Sequence, residues 1–289
     1  MNWLVFHVLS GQVFFTGVAL VIVAALASTR SKPVMKRVTI LAFMVGAIAI
    51  AISSAAIPYW YNMVALVVTV VWTASFTIAA WRQWSSFAVI VVWVIAVAIE
   101  LPYHITPTLT PAPSREMTVI GDSVTAGIGE TDESERWTNI LAAQHNLVVQ
   151  DISHAGVTTA SALKRAKRQT ITSPVVLLEI GGNDLLGSTS AIQFAHDLDV
   201  LLTHVSTPGR QVIMFKLPLP PFHNEYGRIQ RTLAKKHSVS LVPKRVFLSV
   251  LAAGDSTLDT IHLSAVGHKH MTARVWALVS SAFSVKRAG

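Results

Sequence analysis

Cysteine does not occur in this 289-residue chain. Its absence excludes disulfides, thiol nucleophiles and cysteine-ligated metal sites, and leaves the redox compartment open. Charge is also scarce, with Asp, Glu, Lys and Arg at 13% of residues. Acid is almost missing from the first third: Glu100 is the sole carboxylate before Glu116, against Arg30, Lys32, Lys36, Arg37 and Arg82. The net charge is +8 and the pI about 10.0, but no basic stripe interleaved with aromatics appears, so nucleic acid is not an expected partner. Half of the excess lies in the apolar first third, where positive charge beside anionic lipid headgroups accounts for it.

What is abundant is apolar surface. Hydrophobic residues reach 52% and mean hydropathy is +0.52, values that suggest part of the chain sits in lipid. Four long apolar runs, Trp3 to Ser28, Val38 to Ile57, Asn62 to Trp81 and Phe87 to Leu101, read as a bundle of four transmembrane helices. Three of them reach the ~20 residues that a helix needs to cross a ~30 Å hydrocarbon core. The first run lacks a basic leader and is too long for the core of a signal peptide, so it reads as a span. "RSKPVMKR" (Arg30 to Arg37) and Arg82 place the first and third connections on the cytoplasmic side, and the uncharged, aromatic "PYWYN" faces the other way. The expectation is an integral membrane protein, of the bacterial cytoplasmic membrane, with its N-terminus and the remainder of the chain on the periplasmic or extracellular side.

Composition divides the chain at about residue 101. Residues 102–116 carry prolines at 102, 107, 111 and 113, which forbid a continuing helix and favour an extended spacer. From 117 to 289 short apolar runs alternate with helical segments. The strands expected are 117–120, 147–152, 175–180, 211–217 and 239–242. The helices expected are about 135–145, 158–169, 189–205, 224–237 and 265–282. This rhythm predicts an α/β fold, a three-layer α/β/α doubly wound parallel sheet. In such sheets ligands bind beyond the carboxyl ends of the strands. Gly121-Asp122-Ser123, His154 to Gly156 and Gly181-Gly182-Asn183-Asp184 all fall there.

Ser123 is inert unless an imidazole takes its proton and a carboxylate fixes that imidazole's tautomer. Asp259 precedes His262 by three residues in "LDTIHLSAVGH", a spacing that on a turn brings the carboxylate against Nδ1. Oxyanion donors are available in the backbone N–H of Ser123, the backbone N–H of Gly156 and the side-chain amide of Asn183. Asp122 and Asp184 read as loop-bracing carboxylates. Lys216 and Pro218 to Phe222 are expected on the substrate side. His268 and His270, two residues apart on a helix, do not share a face and make poor metal ligands.

Together "GDSVTAG", the glycine of "HAGVTT", "GGND" and "DTIHLS" resemble the four blocks of the SGNH, or GDSL-type, serine hydrolases. The resemblance spans residues 117 to about 282. Val124 stands where the family name has leucine, and His154 where many members have asparagine. It implies a flavodoxin-like hydrolase fold, Ser123 as nucleophile and oxyanion donor, Gly156 and Asn183 as further donors, His262 as base and Asp259 as its orienting acid. It implies no metal or organic cofactor. The function expected is a membrane-anchored serine esterase acting on ester or thioester bonds of lipid or cell-envelope substrates, with the lipid bilayer as its other partner. Three alternatives remain: a transacylase that moves acyl groups onto or off an extracytoplasmic glycan, a non-catalytic membrane assembly protein, and a transporter-like role for the helices.

Overall fold

A computed structural model describes residues 1–77, 79–128, 135–259 and 261–284. Its contacts form two compact units. One holds Met1–Phe6, Ile105–Pro218 and the chain from Ile229 onward; the other holds His7–His104 with Leu219–Arg228.

The helical unit contains the end of α1 (Trp3–Leu9), α2 (Gln12–Ser28), α3 (Pro33–Ala51), α4 (Tyr59–Ala74) and α5 (Ala79–Glu100). The four apolar runs expected from hydropathy form helices of unequal length and shape. The first run bends by 87° between α1 and α2. Gly11 sits at the bend with φ +84°, a left-handed conformation that glycine adopts without a Cβ clash. The third run shortens to the 16 residues of α4, which rise only about 24 Å at 1.5 Å per residue. Among the described residues two helices, Pro33–Ala51 and Trp81–His104, are long and apolar enough to cross a membrane, or three if the bent pair is one span. Inside the unit the few polar groups tie helix to helix. Ser28 Oγ lies 3.0 Å from Ser86 Oγ, Trp72 Nε1 donates to Ser86 Oγ (3.1 Å), and the Tyr61 hydroxyl donates to the Val92 carbonyl (2.6 Å). The segment Leu219–Arg228 is held by Arg228, whose guanidinium lies 3.7 Å over the Tyr59 ring and donates to the Ile57 carbonyl. An apolar groove of about 400 Å³ runs through this unit, lined by Phe43, Ile50, Leu66, Val70 and Trp93, with Asn62 among its few polar residues.

The second unit is a five-stranded, wholly parallel sheet in the order β2-β1-β3-β4-β5. The strands are β1 (Glu116–Gly121), β2 (Val148–Asp151), β3 (Val175–Glu179), β4 (Gln211–Phe215) and β5 (Ser240–Val242). The helices are α6 (Ser123–Ala126), α7 (Trp137–His145), α8 (Thr159–Ala166), α9 (Gly182–Leu186), α10 (Ala191–Val205), α11 (Asn224–Lys236), α12 (Lys244–Leu251) and α13 (Ala265–Phe283). The expected α/β sheet with helices between its strands is therefore present. α9 and α12 were not foreseen, and each strand differs from its expected bounds by one or two residues at an end. β3 is buried at all five positions, as a central strand covered on both faces should be. Order reverses between β1 and β3, so the crevice for a ligand opens where β1 and β3 end.

The proline-rich stretch is not a free spacer over its whole length. Leu101–His104 form a turn of 3₁₀ helix. Beyond it the backbone N–H of Leu109 donates to Ser281 Oγ (3.2 Å), that of Thr110 to Gln211 Oε1 (2.7 Å) and that of Ala112 to the Ala282 carbonyl (2.8 Å). Prolines remove N–H groups here, and those of Leu109, Thr110 and Ala112 find partners on β4 and α13.

Candidate active site

Ser123 opens α6 directly after β1 and is 8% exposed. The turn that presents it is capped by Asp122, whose Oδ1 accepts from the Val124 N–H at 3.0 Å. Its Oγ lies 3.2 Å from His262 Nε2. The other ring nitrogen, Nδ1, lies 2.7 Å from Asp259 Oδ2. A nitrogen facing a carboxylate carries the proton, so Nε2 is left to accept from the Ser123 hydroxyl. The chain thus brings Ser123, His262 and Asp259 into one hydrogen-bonded line.

The loop bearing His262 is braced by the same carboxylate. Asp259 Oδ1 accepts the backbone N–H of Ile261 (2.7 Å) and of His262 (2.9 Å). Those two backbone donors, Ile261 first, and then the imidazole hold the Asp259 carboxyl far below the usual range, although it is exposed. The turn closes with Leu258 N–H donating to the His262 carbonyl (2.8 Å) and with Thr257 bridged to Leu263. α13 then starts under a Ser264 cap. Gly267 in its first turn lies so close to the Ser256 carbonyl that a Cβ would overlap it.

Asn183 sits on α9, just past β3. Its Nδ2 donates to the Val157 carbonyl at 3.0 Å. That bond uses one of the two amide N–H groups and ties the loop after β3 to the loop after β2. Gly156 lies in the latter loop, exposed, with φ +71°. Asp184 braces the same pair of loops, since its buried Oδ2 accepts both the N–H (2.8 Å) and the hydroxyl (2.9 Å) of Thr159. Lys216 is buried, and Leu219 to Phe222, expected on the substrate side, group with the helical unit. His268 is buried and accepts the Trp137 N–H on Nδ1 (3.3 Å), while His270 Nδ1 lies 2.8 Å from Ser256 Oγ.

Sequence reasoning missed Glu179. It ends the apolar strand β3 and is 7% exposed. Its Oε2 accepts the Thr125 hydroxyl (2.9 Å) and the Asp122 N–H (3.3 Å), which holds its carboxyl against the turn that Asp122 caps. Burial, then the charge of Asp122, pushes Glu179 well above the ordinary glutamate range; burial likewise raises Asp122. The signal was present as a lone acid closing an otherwise apolar strand, two residues before the "GGND" block.

A serine hydroxyl on an imidazole whose second nitrogen is fixed by a carboxylate can lose its proton as its oxygen attacks a carbonyl. Relatives carry the point further. The family model of the GDSL-like lipases and acylhydrolases matches residues 119–270. Esterase TesA of Pseudomonas aeruginosa is 26% identical over 179 residues, 57% of this chain and 88% of that protein. The crystal structure of TesA aligns with a TM-score of 0.50 at 25% identity, over 57% of this chain and 97% of its own. The psychrotrophic esterase EstA from Pseudoalteromonas sp. aligns with a TM-score of 0.52 at 17% identity, over 58% and 97%, a likeness of fold. Because the family match runs from within β1 to the second turn of α13, it takes in every loop that carries the serine–imidazole–carboxylate line, and the chain belongs to the GDSL-like lipase/acylhydrolase family of serine esterases.

Proposed function

We propose that Ser123 is the nucleophile, His262 the general base and Asp259 the group that orients it, in a membrane-anchored esterase. The observation that carries this reading is the unbroken line from Ser123 Oγ through both nitrogens of His262 to Asp259. As Oγ attacks the ester or thioester carbonyl, its proton passes to Nε2 and an oxyanion forms. The N–H groups of Ser123 and Gly156 and the second N–H of Asn183 receive that oxyanion, each such donor being worth ~10²–10³ in rate. The imidazolium then gives its proton to the departing alcohol or thiol, leaving an acyl-serine. Water, deprotonated by His262, attacks the acyl carbon, and collapse releases the acid and restores the hydroxyl.

Residues 1–101 form the membrane region in this reading, 102–116 the connection and 117–289 the hydrolase domain; residues 285–289 lie outside the described residues. Crossing by all four apolar runs, with the N-terminus and the hydrolase domain on the outer side, remains part of the proposal. It is supported by the cavity that Arg30, Lys36 and Arg82 line together, since the two basic connections then meet at one end, as the positive-inside rule requires. Exposed Trp60 and Trp84 suit the membrane–water boundary. Proximity to a leaflet favours esters of lipids or envelope glycans as substrates.

One observation favours a second reading, transfer of the acyl group to a glycan. The apolar groove of the helical unit is large enough to take a hydrocarbon chain, as a unit that presents an acyl donor would require. The test is the full-length chain in detergent, with p-nitrophenyl acetate and longer acyl esters, beside Ser123→Ala. Hydrolysis lost in the variant is the outcome expected. Equal hydrolysis by both proteins would sink the nucleophile assignment. An inert chain that acylates a glycan acceptor when returned to membranes would favour the second reading.

A further inference from the structure

The catalytic line makes no use of Glu179, a buried acid near it. Glu179 closes β3 directly across from Gly121, the last residue of β1, and its carboxyl lies beneath the turn that presents Ser123. Two contacts reach that turn from one side chain: Oε2 accepts the Asp122 N–H and the Thr125 hydroxyl. They bring the buried carboxyls of Glu179 and Asp122 close enough for each charge to act on the other. Asp122 in turn caps α6 through the Val124 N–H. Gly121 leaves room for this arrangement, since a Cβ there would collide with Thr125.

We infer that Glu179 is a positioning residue for the esterase reaction: it shares one proton with Asp122, and the resulting acid–carboxylate pair holds the turn that aims Ser123 Oγ and its backbone N–H. This rests on the reading of Ser123 as nucleophile. Two carboxylates this close and shielded from water cannot both be ionised without strong repulsion, whereas a pair with one proton makes a charge-assisted hydrogen bond. The raised titration of both acids agrees with the geometry.

Charged groups on the surrounding elements leave the pair as the site of that proton. Asp184 on α9 adds negative charge against Asp122 and is itself bound by Thr159. His262 acts on Asp122 in the opposite sense. Asp151, at the end of β2 on the same sheet face by register, is bound by the hydroxyls of Thr138 and Ser153. Lys216, after β4, falls in line with Ile180 and out of phase with Glu179. When the pair loses its proton to bulk base, a second buried negative charge repels Asp122, and the cap of α6 is forced apart.

The experiment measures kcat and KM for p-nitrophenyl butyrate across pH, corrected for spontaneous hydrolysis, with the full-length chain in detergent. Wild type, Glu179→Gln, Glu179→Leu and Ser123→Ala are compared. Glutamine copies the protonated acid in shape and can donate to Asp122 at every pH. The expected wild-type kcat falls on the alkaline side while the fold is intact by circular dichroism. Glu179→Gln should keep neutral kcat within about threefold and lack that fall, and Glu179→Leu should lose at least tenfold in kcat with KM little changed. Should the leucine variant fail to fold, the glutamine profile decides alone. The same alkaline fall in Glu179→Gln as in wild type, no fall in wild type before unfolding, or a folded Glu179→Leu with wild-type kcat would each overturn the role of Glu179 while Ser123→Ala is dead. Activity surviving in Ser123→Ala overturns the nucleophile assignment and the positioning role with it.

Discussion

β3 and α3 are equally apolar in sequence and have opposite fates. All five residues of β3 are buried, while the 19 residues of α3 bury only Thr39, Gly46 and Ala49 and leave Ile40, Leu41, Met44, Val45 and Ile48 more than half exposed. In the hydrolase unit the apolar side chains face each other, and the buried polar groups Asp122, Ser123, Glu179 and Asp184 gather at the strand ends. In the helical unit many apolar side chains face out, as on α3, while others such as Phe14, Val18, Trp72 and Val89 pack inside. Small and polar residues join those inner contacts, as expected where the surrounding medium is itself hydrocarbon and helices associate by packing and hydrogen bonds. The same composition thus makes a site in one region and a seam in the other. Changes at strand ends should act on rate, and changes at helix seams on stability.

The largest effect belongs to the catalytic line. His262→Ala should reduce kcat by about 10⁴ with little loss of stability, because the side chain lies on a partly exposed turn. Steady-state kinetics beside a thermal melt checks both halves, and a drop in melting point with unchanged kcat would break the division. Asn183→Ala comes next, with a loss of ~10²–10³ in kcat and a nearly constant KM. A KM that rises while kcat holds would reassign Asn183 to ground-state binding or to bracing of the Val157 loop.

Legibility follows the same division. The βα alternation and the strand-end blocks could be read because each depends on short-range pattern: continuous apolar runs, a glycine turn, a serine at a helix start. Asp259 and His262 could be paired because both lie on one turn. Glu179 could not, since its meaning comes from β1 and β3 being neighbours, a long-range fact, and locally it looks like the end of a strand. α9 and α12 hid in stretches read as loop, and α9 has only five residues. In the helical region hydropathy marks where lipid-compatible segments lie and nothing more. It registers neither the bend at Gly11 nor the early end of α4, because both are backbone events inside windows whose average remains apolar.

A third prediction concerns stability in the hydrolase unit away from the chemistry. Burial, and then the charge of Arg136, depress His268 to about 4 from 6.5. Its Nδ1 accepts a backbone N–H, so the folded state requires the neutral ring. The unfolded chain therefore binds more protons between pH 6.5 and 4. This contribution is complete above pH 6.5 and disappears as pH falls through 4, for a total of about 3 kcal/mol. His268→Gln should lose less stability than wild type over that window in denaturant titrations at each pH. Parallel curves would show that other groups set the acid limit.

The smallest predicted effect tests the helical side. Gly17 on α2 and Gly46 on α3 approach so closely that a Cβ on Gly46 would lie 2.8 Å from the Gly17 carbonyl oxygen, and one on Gly17 would lie 2.9 Å from that of Gly46. Both clashes are with backbone, which cannot rotate away as a side chain would, so Gly46→Ala must push the helices apart or strain them. Overpacking of this kind costs about 1–3 kcal/mol, offset in part by the better helix propensity of alanine, about 1 kcal/mol. The net expectation is a modest fall in the melting point of the full chain in detergent, with kcat on a soluble ester unchanged below the transition. A kcat that falls together with the melting point would mean that the seam between α2 and α3 governs the strand-end chemistry as well, and the separation of rate from stability would fail.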